Sequence, residues 1–78
     1  MWWFLLKKLD TENEIVYAYG CETRNVTGEI SYDRKTNEFS VIKLADNDTE
    51  KGAELLLPHI YHAICKENCP RERMIAIG

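Results

Sequence analysis

The stretch HIYHAICKENC, residues 59–69, gathers both histidines and two of the three cysteines of the chain. Imidazole and thiolate are the ligands that zinc favours in a tetrahedral set. A cysteine beside a histidine is also the start of a nucleophilic pair. On a helix, at about 100° per residue, His62, Cys65 and Cys69 fall within about 60° of one another, and His59 lies about 60° further round. Neighbouring pairs at these spacings can share one ion. A metal- or thiol-dependent site on His59, His62, Cys65 and Cys69, with His62, Cys65 and Cys69 as its tightest group, is therefore one reading of the chain.

Three physical points weigh against it. All four side chains project from one side of one element, whereas a tetrahedral set needs ligands converging from different directions. No Asp or Asn stands where it would orient an imidazole for base catalysis. Cys65 lies toward the C-terminal end of its helix, where the partial negative charge opposes thiolate formation. The cluster then becomes the polar side of a helix, with no metal and no cofactor expected.

Other chemistries are weaker still. DNDTEKG (46–52) is acidic like a calcium loop, but the sixth and twelfth positions counted from Asp46 are Lys51 and Leu57. An EF-hand loop needs Gly and Glu there. The glycines are isolated, so no phosphate-cradling loop is present. Glu12 with Glu14, or Glu22 with Glu29, could face each other as acid pairs, a common accident among surface carboxylates. Tyr17, Tyr19 and Tyr32 could share a sheet face and stack nucleic-acid bases. Glu14, Glu22, Glu29 and Glu38 surround them, which argues against a nucleic acid as partner, and burial beneath a helix is the simpler fate of the rings.

The elements that position these residues are legible from period and turn signals. WWFLLKKL (2–9) ends at a polar turn, DTENE. EIVYAYGCE (14–22) is rich in β-branched and aromatic residues. NVTGEISY (25–32) alternates, with Val26, Gly28, Ile30 and Tyr32 on one side. FSVIKLA (39–45) follows the polar loop DRKTNE. These four segments predict an antiparallel meander. Residues 46–68 switch to helical spacing, with Ala53, Leu56, Leu57, Ile60, Ala63 and Ile64 in one stripe. Asp46, Asp48 or Thr49 can cap this helix. Pro58 predicts a kink or a break into two helices. RMIAIG (73–78) reads as a short fifth strand. The strand directions give the order 5-1-2-3-4, with the helix on one face.

The chain, residues 1–78, is thus one small α+β domain: a four-stranded meander, one helix in the C-terminal half, and a short last strand. Thirteen acids against ten bases leave a net charge of −3, with no basic stripe for phosphate. The apolar run after Met1 is too short for a signal peptide or a membrane span. Three cysteines cannot all pair within one chain, and the expected setting is a reducing cytoplasm.

One helix covers one sheet face, yet the first strand, WWFLLKKL, is apolar on both sides. The second face should then carry large apolar side chains, a mark of a partner surface. Trp2, Trp3 and Phe4 are the expected anchors. The reading is a non-catalytic interaction domain that binds a protein partner or forms a homodimer. The alternatives are the helix site described above and a small-molecule pocket between the Pro58 kink and the sheet.

Overall fold

A computed structural model describes residues 1–77. The elements are β1 (Trp2–Asp10), β2 (Glu14–Cys21), β3 (Gly28–Asp33), β4 (Glu38–Lys43), α1 (Glu50–Lys66) and β5 (Glu72–Ala76). The strands form one antiparallel sheet of order β4-β3-β2-β1-β5. This is the α+β arrangement that the period and turn signals predict. The expected last strand, 73–78, corresponds to β5, and Gly78 lies outside the described residues.

Side chains alternate across a strand, so register decides each face. Trp3, Leu5, Tyr17, Tyr19, Cys21, Ile30 and Tyr32 share one face by their cross-strand pairings, joined by Ile15 and Ile75. All of these are buried, together with Leu56, Ile60 and Ile64 of α1, and they form the core. Burying each large apolar side chain contributes roughly 1.5–3 kcal/mol before entropy is counted. Tyr32, Phe39 and Tyr61 extend the core toward β4, with ring centroids 4.8 to 6.4 Å apart.

Helix α1 starts at Thr49, whose hydroxyl accepts from the Gly52 N–H at 3.0 Å. A cap of this kind is worth about 1 kcal/mol. Asp48 has a different task. Its carboxylate accepts from the Trp3 indole N–H at 3.3 Å and from the Thr49 N–H at 2.8 Å. The helix runs without a break from Glu50 to Lys66 through Pro58, contrary to one branch of the expectation. Both Pro58 and Glu54, whose carbonyl loses its donor there, lie on the exposed side. Water can then replace the missing hydrogen bond, and the ring meets no packed neighbour.

The chain leaves the helix abruptly. The Ala63 carbonyl accepts from both the Glu67 and the Cys69 N–H. Asn68 and Cys69 then adopt left-handed backbone, with φ of 61° and 51°. Asn tolerates this region, whereas Cys does so at a cost of order 1 kcal/mol. No helix among the described residues is long and apolar enough to cross a membrane.

Candidate functional site

The left-handed turn after α1 separates the four residues of the His/Cys stretch. His59, His62 and Cys65 are exposed on the outer side of the helix. Cys69 lies beyond the helix end and is turned inward, buried, with its Sγ 3.5 Å from the Tyr17 hydroxyl. The expectation that all four face away from the core fails at Cys69, because the helical wheel stops applying at Lys66. His62 meets not a cysteine but Glu67, with Nδ1 3.3 Å from Oε2. Glu67 is gripped by the Arg73 guanidinium at 2.7 and 3.1 Å, which holds its carboxyl below the usual range, with His62 adding to the effect. Among the described residues no three His, Cys, Asp or Glu side chains assemble as a metal-ligating set.

The remaining reactive groups have structural partners. Burial pushes the Cys21 thiol above its ordinary value, which disfavours a nucleophilic thiolate. The Tyr17 hydroxyl donates to the Pro70 carbonyl at 2.5 Å, and the Tyr19 hydroxyl accepts from the Ala45 N–H at 3.1 Å. Burial raises both phenols, Tyr19 to about 12. These rings and that of Tyr32 lie beneath the helix, so none is free to stack on a base. Lys8 engages Glu29, and Arg34 and Lys7 both engage Asp10. The hydrogen bond from Lys7, then that from Arg34, holds the Asp10 carboxyl below its ordinary value.

The second sheet face is different. Neither α1 nor any strand packs over it. Trp2, Phe4, Leu6, Val16, Ala18, Met74 and Ala76 fall on this side by register. A register shift between Lys7 and Leu9 brings Leu9 opposite Val16, so Leu9 joins them. The expected anchors Trp2, Trp3 and Phe4 separate here. Trp3 is fully buried on the helix side, because adjacent residues of a strand point to opposite faces. Phe4 is only 7% exposed, because the loop 22–27 folds back over it. Glu22 turns the chain with φ of 57°, and the Arg24 guanidinium sits 4.4 Å above the Phe4 ring. The loop carbonyls of Thr23 and Asn25 press on Gly20, where a Cβ would collide with both.

The accessible apolar strip is therefore Trp2, Leu6, Leu9, Val16 and Met74, with Met74 45% exposed. Alternation along β2 and β5 could have named Val16 and Met74 from sequence. Nothing in the sequence marks the bulge that turns Leu9 outward. Beside the strip, a shallow groove of about 440 Å³ is lined by Leu6, Ala18, Val26 and Ile42, with Lys8, Lys43 and Glu29 at its rim. A second groove of about 390 Å³ lies between the end of β4 and the first turns of α1. Pro58 lines neither of them, so these grooves are not the pocket expected at the helix kink.

Among the described residues the arrangement offers apolar contact and scattered charge, and no three His, Cys, Asp or Glu side chains converge. No protein-family model, curated protein or solved structure matches the chain.

Proposed function

We propose that this domain is a non-catalytic protein-binding module whose recognition surface is the uncovered face of its sheet. One observation carries the reading. Trp2, Leu6, Leu9, Val16 and Met74 lie accessible on a face that no other element packs against. Accessible apolar side chains grouped on one face are a mark of a contact site, and tryptophan is enriched where contacts carry energy. The commitment of the Tyr17, Tyr19 and Tyr32 hydroxyls, Asp10, Glu29 and Glu67 to internal partners supports a binding role over a catalytic one. The free thiols of Cys21, Cys65 and Cys69 fit a reducing cytosol.

The partner is another protein or a second copy of the chain, and the homotypic form can be tested directly. Amide NMR spectra are recorded from micromolar to millimolar concentration, alongside sedimentation velocity. The expected outcome is concentration-dependent shifts centred on Trp2, Leu6, Leu9, Val16 and Met74, weakened in Trp2→Ala and Met74→Glu. Shifts confined to other surfaces, with both variants behaving as wild type, would remove self-association through this face.

A further inference from the structure

Strand β4 is the least covered of the five. Val41 pairs with Ile30 and so points to the helix side, yet it is 38% exposed, and Ile42 is 56% exposed. The groove of about 390 Å³ separates Val41 and Leu44 from Ala53 of α1. The strand is also the last in the sheet, so its outer backbone groups have no strand beside them.

The ends of β4 carry opposite charges. Glu38 lies across from Asp33, a like charge, and Lys43 lies across from Glu29, which Lys8 already engages. Neither Glu38 nor Lys43 makes an ion pair among the described residues. A register shift in the β3–β4 pairing sets both of them on the uncovered side of the sheet, although they are an odd number of residues apart. Natural edges are usually protected by a charge that repels its own copy. Here the protection is inverted. If two β4 strands pair antiparallel, centred on Ser40, Phe39 lies across from the other copy's Val41 and, with Ile42 as the extra residue of the register shift, each Glu38 meets the other copy's Lys43.

We infer that β4 is a self-pairing edge, through which a second copy of this chain extends the sheet about a two-fold axis. The contact is isologous, as closed dimers require. Strand addition supplies backbone hydrogen bonds, and the end charges fix direction and register. Phe39, Val41 and Ile42 of each copy gain cover at the junction. The uncovered sheet face stays free, so this pairing is independent of the binding surface proposed above.

The test is a charge exchange read by sedimentation equilibrium and light scattering. Wild type is expected to dimerise. Glu38→Lys and Lys43→Glu each place like charges together at both ends and weaken the dimer by about tenfold. Mixing the two single variants in equal amounts restores dimers, since both ends of the mixed pair then join an acid to a base. The doubly exchanged variant also dimerises. Circular dichroism verifies that each variant is folded. Trp2→Ala leaves this dimer unchanged, which separates it from association through the sheet face. A wild-type monomer at millimolar concentration overturns the inference. So does a dimer that neither single variant weakens, or a mixture that associates no better than its components.

Discussion

The two faces of the sheet are built from the same strands, often from adjacent residues, yet they have different fates. The helix side holds Trp3, Leu5, Tyr17, Tyr19, Ile30 and Tyr32 at 4% exposure or less. The other side holds Trp2, Leu6, Leu9, Val16 and Met74 partly or largely open, with only Phe4 and Ala18 closed off. What separates them is cover. An amphipathic helix lays Leu56, Ile60 and Ile64 on the first face. The second receives only the loop 22–27, through Arg24 and two backbone carbonyls. Most of the buried apolar surface thus lies on one face, and the other keeps apolar side chains accessible.

The widest expected gap between the faces is between neighbours in sequence. Trp3→Ala removes a fully buried ring and its indole hydrogen bond to Asp48, and should cost about 3–5 kcal/mol in urea unfolding, enough to unfold a marginal domain. Trp2→Ala should cost less than half as much. Equal losses would mean that both faces are core.

High pH provides a second test of the helix side. Tyr17, Tyr19 and Tyr32 are raised above the ordinary phenol value of 10.0, chiefly by burial, Tyr19 to about 12. A raised folded pKa gives stability that is fully present below the unfolded value and lost as pH rises through the folded one. Melting temperature should therefore fall as pH climbs from 10 toward 12. A flat profile there would show that these hydroxyls reach solvent.

On the other face, Gly20→Ala should cost about 1–3 kcal/mol, because its Cβ strikes the loop carbonyls of Thr23 and Asn25. The loop would lift, and protection of the Phe4 region in hydrogen exchange should drop. The smallest effect is expected from Arg24→Ala, about 0.5–1 kcal/mol from the lost cation–π contact. That variant widens the apolar strip to include Phe4. It should promote association if the uncovered face is the binding surface, and leave association unchanged if contact runs only through β4.

Much of the fold is legible in the sequence because local periods report burial directly. Alternation in NVTGEISY names the inward side of β3, and the spacing of Leu56, Ile60 and Ile64 names the helix stripe. The deficit of cover on the second face follows from counting one helix against a strand apolar on both sides. The candidate site is less legible. Trp2, Trp3 and Phe4 form one apolar run, and composition alone does not say that Trp3 turns inward and Phe4 lies under an arginine from another loop. Cys69 is misplaced by a helical wheel continued past Lys66, where Asn68 and Cys69 reverse the backbone.

The sequence by itself determined the order of elements, the apolar stripe of the helix, the inward side of β3 and the absence of a basic stripe, since these depend on residue type and short-range period. Tertiary structure decided which apolar residues stay accessible. A bulge near Lys8 turned Leu9 outward, a loop folded over Phe4, and the helix stopped short of covering Val41 and Ile42. Each of these depends on contacts between residues far apart in the chain, which no local pattern encodes.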